Sequence, residues 1–326
     1  MITRRHFLYS LAGAPALLPA NGFTQTPPHR IAMLFGGPKE GNEGFLNAFR
    51  EQLAALGYVE GRNLVLDVRF GGSSQERANQ LAEELHTLHP KVFLALQGRA
   101  LGAASRVPVS VPVIGIYSGN PVDAGYAVSF ARPGRNMTGI SLMAVELVGK
   151  RIELLKEILP RLKTIAIIAD PQHAGEHRER AASEAAAKTI GLRVLYYPVG
   201  NEAEVSAALS AAKTAGAEGI VAFPDGVTAP NRGAIADFSV RNRIPVVAGW
   251  VSFVESGCLL SYGPNLRSAY ARAAYFVDRI IKGAKPADLP IELPTVVELA
   301  VNRKTARSLG IDIPNSILVR ADKVIE

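Results

Sequence analysis

The sequence predicts an α/β fold built as two Rossmann-like lobes, each a parallel sheet wound by helices. Three observations predict it. Short apolar, β-branched runs alternate with segments of helical period along most of the chain, the pattern of parallel strands covered by helices. The alternation starts afresh near residue 144, so one winding is followed by a second of similar size. The apolar runs open into loops rich in Gly, Ser, Asn and Asp, and in an open α/β sheet ligands bind at such strand carboxyl ends. A chain of 326 residues has the length of about two domains of ~100 to 200 residues each.

Thr3-Arg4-Arg5-His6-Phe7-Leu8, followed by an apolar run to Leu18, has the charged start and short hydrophobic stretch of a signal peptide. The run falls short of the ~20 residues that span a bilayer. Paired arginines before Phe-Leu resemble a twin-arginine export signal. Residues 1–20 are therefore expected to be removed, with 21–29 as a linker and the periplasm as the destination. The formal charge of +7 is scattered, with no basic run and interleaved aromatics, so no nucleic-acid partner is expected. Cys258 is the only cysteine, which excludes an internal disulfide. Its setting, Gly257-Cys258-Leu259-Leu260, reads as a buried strand rather than a nucleophile.

Taken in order, residues 30–35 form an apolar strand. Gly36-Gly37-Pro38-Lys39-Glu40-Gly41 follows, but Asn42-Glu43 stands where a phosphate loop needs Lys and Ser or Thr. Phe45, Phe49, Leu53 and Leu56 recur at helical spacing, and Gly57 sits where a helix ends. Residues 63–70 alternate as a strand, Ala78, Leu81, Ala82, Leu85 and Leu88 mark a helix, and the strand 91–96 ends in Gln97-Gly98-Arg99. The run 113–117 then opens into Ser118-Gly119-Asn120-Pro121. Beyond the turn Arg132-Pro133-Gly134-Arg135-Asn136 and a further apolar run, a helix is expected over 146–159. Strands at 164–169, 192–196, 219–223 and 245–248 then alternate with helices at about 175–190, 202–215 and 229–242. Ser261-Tyr262-Gly263-Pro264-Asn265 reads as a return crossing ahead of a helix at 266–282, and the tail as a third crossing. The first lobe is expected at 30–143 plus about 264–288, the second at 144–263 plus about 289–326.

Several of these stretches carry a family resemblance. Asn120-Pro121-Val122, Ala131-Arg132-Pro133-Gly134 and Asn136-Met137-Thr138-Gly139 form its centre, with Leu56-Gly57-Tyr58-Val59-Glu60-Gly61-Arg62-Asn63 before them. Ser261 to Asn265, Lys282 to Pro290 and Arg320 to Glu326 follow. Together they resemble the substrate-binding proteins of ABC transporters, in the lineage of the tryptophan- and tyrosine-binding proteins, over nearly everything after residue 29. The resemblance implies a type I periplasmic binding protein with a multi-crossing hinge. It implies a solute-binding component that closes on a small polar or aromatic ligand, such as an amino acid or a carboxylate, and an ABC permease of the inner membrane as partner. No cofactor is implied. A periplasmic ligand sensor, or an enzyme working in the cleft of the same fold, is the alternative.

No Gly-x-Ser-x-Gly elbow occurs, and His173 and His177, like His86 and His89, read as solvated helix positions, so neither a catalytic residue nor a metal is expected. The ligand-binding candidates all fall at expected strand ends. Phe35, Gly36, Gln97, Gly98, Arg99, Tyr117, Ser118 and Asn120 come from the first lobe; Asp170, Asp225, Trp250 and Ser252 come from the second. Asp225 matches a family position where a carboxylate faces the cleft, suited to a ligand amine. Trp250 suits stacking on a flat or cationic ligand. The chain departs from the family pattern with Asn120 in place of Asp, Gln97-Gly98-Arg99 in place of a hydroxyl-rich turn, and Gly226-Val227-Thr228 in place of a more aromatic run. Fewer carboxylates and an added arginine favour a ligand carrying a carboxylate, and a zwitterion would satisfy Arg99 and Asp225 together.

Overall fold

A computed structural model describes residues 27–326 apart from Ser73, Val107 and Val109; the expected signal segment and most of the linker lie outside the described residues. In the first lobe β1 (His29–Phe35), β2 (Leu64–Phe70), β3 (Val92–Leu96), β4 (Val113–Tyr117) and β5 (Met137–Ser141) alternate with α1 (Glu43–Ala55), α2 (Gln75–Thr87) and α3 (Gly98–Ala104). The sheet runs β2-β1-β3-β4-β5 and is parallel throughout. Every residue of β3, β4 and β5 is buried. Continuous burial is what strands covered by helices on both faces require.

In the second lobe α4 (Ala144–Ile158), α5 (Glu176–Thr189), α6 (Glu202–Thr214), α7 (Arg232–Asn242) and α8 (Val251–Glu255) wind about β6 (Thr164–Ala169), β7 (Arg193–Pro198), β8 (Gly219–Ala222), β9 (Val246–Ala248) and β10 (Leu260–Pro264). Their order, β7-β6-β8-β9-β10, repeats that of the first lobe. The chain then returns through α9 (Leu266–Ile281) and closes with β11 (Val297–Asn302), α10 (Arg303–Leu309), α11 (Asn315–Leu318) and β12 (Lys323–Ile325). β11 pairs antiparallel with β10, and β12 extends the edge. Cys258 is buried in this lobe's core, where burial pushes its thiol well up.

The helix α9 shows why a distant segment returns to the first lobe. Asn265 caps it by accepting from Ser268 N, and Leu266, Tyr270, Phe276, Val277 and Ile280 turn inward among the side chains of α1 and the sheet. Burying each such side chain contributes about 1.5–3 kcal/mol. The Tyr58 hydroxyl adds a bond to Asp278 (2.9 Å).

Three segments cross between the lobes: Leu142-Met143 after β5, Asn265 after β10, and residues 293–296 before β11. The last crossing begins later than the expected 289. Glu292 N donates to Gly139 O (2.9 Å) and Ser141 N donates to Glu292 O (2.9 Å), so residues up to 292 remain on the first sheet's edge. The short helices α3 and α8 replace expected loops. Two glycines in α3 disguise a turn of helix whose Ala100, Leu101, Ala103 and Ala104 are all buried. Among the described residues no helix is long and apolar enough to cross a membrane.

Candidate functional site

A sheet ordered 2-1-3-4-5 reverses direction between its first and third strands, and the crevice there is where such sheets take ligands. Each lobe has one such point, and each is closed by a side chain from the far strand. In the first lobe Gln97, held at φ 76, accepts from Gly37 N through Oε1 (2.7 Å) and donates to Asn42 Oδ1 (3.2 Å), tying the end of β3 to the loop after β1. In the second lobe Asp225 accepts from Asp170 N through Oδ2 (2.8 Å), tying the end of β8 to the loop after β6. Its Oδ1 takes Val227 N (2.8 Å) and Thr228 N (2.7 Å). Burial raises the Asp225 carboxyl, opposed by these amide donors and by His173.

The structure sorts the candidate residues. Gly36, Gly98, Arg99, Ser118, Asn120, Asp170, Trp250 and Ser252 stand at or just beyond strand ends on the facing rims. Phe35 and Tyr117 do not reach the cleft: Phe35 stacks on Phe70 within the first lobe, and the buried Tyr117 hydroxyl donates to Thr138 O (2.9 Å). Asp225 is only 4% exposed with both oxygens taken by backbone amides, so it braces a loop instead of offering a free carboxylate. Asn120 and Asp170 close turns of the same kind, accepting from Val122 N (2.8 Å) and Gln172 N (2.9 Å).

The lobes are in contact. Arg99 Nη1 donates to Gly226 O (3.0 Å), Asn120 N donates to Ala174 O (3.2 Å), and Arg178 Nε meets Asp123 Oδ2 at 2.8 Å. Trp250, half-buried, packs against apolar clusters of both lobes. Between Asn120, Ser141, Glu146, Ala174 and Glu179 lies an inter-lobe cavity of about 20 Å³, room for about one water.

Sequence reasoning missed the charged pair behind that cavity. Arg151, 1% exposed, donates from Nη1 to Glu179 Oε1 (3.0 Å) and from Nε to Tyr262 O (2.8 Å). Burial, with Asp225 and Glu176 pushing the same way, lifts the Glu179 carboxyl to about 7, against the pull of Arg151. The signal was present: Arg151 follows Leu147 by four residues and precedes Leu155 by four, in the middle of the apolar face of α4. Glu176 and Glu179 likewise share the buried face of α5 with Ser183 and Ala187. Among the described residues no group of three or more His, Cys, Asp or Glu is placed to hold a metal ion.

Two lobes of identical winding, facing each other at their switch points across three hinge segments, define a ligand-binding protein of the type I periplasmic binding protein fold. The chain matches the family of ABC transporter substrate binding proteins over residues 40–325, and it belongs to that family. Its members are substrate-binding proteins and not enzymes. A tyrosine-binding protein of Clostridioides difficile is 22% identical over 269 residues, which span 82% of this chain and 75% of that one. A conserved domain protein from Vibrio cholerae superposes with a TM-score of 0.85 at 25% identity, covering 91% of this chain and 99% of that one. An ABC domain from Streptococcus pneumoniae solved with L-Trp superposes with a TM-score of 0.84 at 23% identity, covering 91% and 100%.

Proposed function

We propose that this protein is the exported solute-binding component of an ABC importer, acting in the periplasm, and that it closes its lobes over an aromatic amino acid. One observation carries the reading: Trp250, just beyond the end of β9, packs against apolar clusters of both lobes, and an indole placed between lobes suits a flat ligand. The tyrosine-binding relative and the L-Trp neighbour support the same ligand class. The half-buried Arg99 guanidinium, held by one bond to Gly226 O, is placed to take the ligand carboxylate. The oxygens of Asp225 are already occupied by backbone amides and Glu179 is buried against Arg151, so neither carboxylate stands free for the ligand ammonium. Closure is favoured because such a ligand touches both lobes at once, and only contacts made better in one state shift the balance toward it.

Calorimetric titration with L-tyrosine and L-tryptophan, beside their deaminated analogues and aliphatic amino acids, tests this. Binding of the aromatic amino acids and rejection of the aliphatic ones is the expected result. Arg99→Gln should weaken binding by about 10- to 100-fold, the effect of losing one charge-assisted bond of about 1.5–3 kcal/mol. No heat with any member of the panel would sink the amino-acid reading. Retained uptake in a strain lacking the protein would sink the importer reading.

A further inference from the structure

On one side of the cleft the lobes meet backbone to backbone. Ser118-Gly119-Asn120 leaves the end of β4 and faces Ala174-Gly175 ahead of α5, with Asn120 N bonded to Ala174 O and the Asp123–Arg178 ion pair beside it. A Cβ built on Gly119 would lie 1.8 Å from Ala174 O, and its three nearest neighbours all belong to Ala174, on the other lobe. The φ of Gly119 lies outside the left-handed region, so its own backbone accepts an alanine. Elsewhere along the cleft the lobes meet through side chains such as Arg99, which can follow a change in spacing; the Ala174 carbonyl on the Gly119 backbone cannot.

We propose that Gly119 sets the depth of lobe closure, and through it the size of solute the cleft encloses. The inference rests on the reading of this cleft as the solute site. The bare backbone of Gly119 lets the second lobe descend until Asn120 N reaches Ala174 O, and that bond is the stop. An ordinary C···O contact needs about 3.3 Å, so a methyl group at this position would hold the lobes apart there by about 1.5 Å. The stop also accounts for the cavity at this end taking about one water: a solute the size of an amino acid must sit further along, toward Trp250. Gly119 is a positioning residue, acting on the solute through the lobes.

Closure can be read without any solute. Asp123→Cys and Arg178→Cys together place one thiol on each lobe, while the native Cys258 stays buried in the second lobe's core. With a short bis-maleimide, the pair should crosslink readily in the Gly119 background and at least fivefold more slowly with Gly119→Ala. Far-UV circular dichroism should be the same in both, because the nearest neighbours of the added methyl all lie on the opposite lobe. In calorimetry, Gly119→Ala alone should weaken L-tyrosine binding tenfold or more. Equal crosslinking rates in the two backgrounds overturn the inference, and so does an altered dichroism spectrum, which would show that the methyl disturbs its own lobe. A slowed crosslink with no heat from the Gly119 protein supports the closure stop and defeats the amino-acid reading alone.

Discussion

Arg151→Met should destabilise the protein by about 3–5 kcal/mol at pH 8, read as a lower urea midpoint at unchanged slope. The guanidinium is fully buried between α4, α5 and the end of β10, and methionine replaces its length but none of its donors. Glu179 would be left as a buried carboxylate without its cation, and the Tyr262 carbonyl without its donor. The space is tight: a Cβ built on Gly249 would lie 2.6 Å from Arg151 Nη2, so the chain above the pair is fitted to the arginine. Adding Glu179→Gln should recover a large part of the loss, since removing both charges avoids the unpaired one. A cost under ~1 kcal/mol for the single change would show that the pair does not hold this part of the lobe.

The same pair predicts a pH dependence whose sign follows from the raised Glu179 carboxyl. Folded, it titrates near about 7, above its ordinary value of 4.5. Between those values the unfolded chain has released a proton that the folded chain keeps. Stability is therefore highest below pH 4.5 as far as this group is concerned, and it falls as pH rises to about 7, by up to about 3 kcal/mol. Glu176 and Asp225 add to the shift and Arg151 opposes it. Glu179→Gln should flatten that part of the stability profile. The cost of Arg151→Met should also shrink at pH 5.5, where the carboxyl it leaves behind is already protonated.

The fold was legible because its instructions are local. Apolar runs such as 91–96 and 113–117 can be buried only on both faces, and helical spacing at 45–56 and 266–282 marks the layers that cover them. The restart at 144 also announced the second winding. What stayed hidden depends on tertiary pairing. Glu292 remains with the first lobe through two backbone bonds to β5, which no side-chain pattern reports. At the cleft, strand ends told where the rims lie but not which way each side chain turns. Phe35 and Tyr117 end their strands pointing into the core, while Gln97 and Asp225 turn back to bind backbone. Arg151 sits at a core position of α4, where helical spacing marks the buried face but not the one charge placed within it.

Asp225→Ala should cost about 3 kcal/mol or more, because three backbone N–H groups lose their acceptor in a site where each unpaired donor costs about 1–3 kcal/mol. Asp225→Asn should cost less. Its amide oxygen can still take Val227 N and Thr228 N, but its NH₂ would then face Asp170 N, donor against donor. This ordering separates two roles for the residue. A carboxylate kept for a ligand ammonium would lose binding in the asparagine form while leaving stability unchanged. A carboxylate that ties β8 to β6 must lose stability in both forms, most in alanine, with ligand affinity falling only as far as the rim loosens. Urea midpoints and L-tyrosine titrations of the two variants, run side by side, decide between them. The first-lobe counterpart sharpens the test: Gln97 makes the equivalent tie with a neutral amide and one backbone donor, so Gln97→Ala should cost only about 1 kcal/mol. A graded loss from Asp225→Ala through Asp225→Asn to Gln97→Ala would mean that both switch points are closed by protein–protein bonds. The solute itself would then be recognised by groups those bonds leave free.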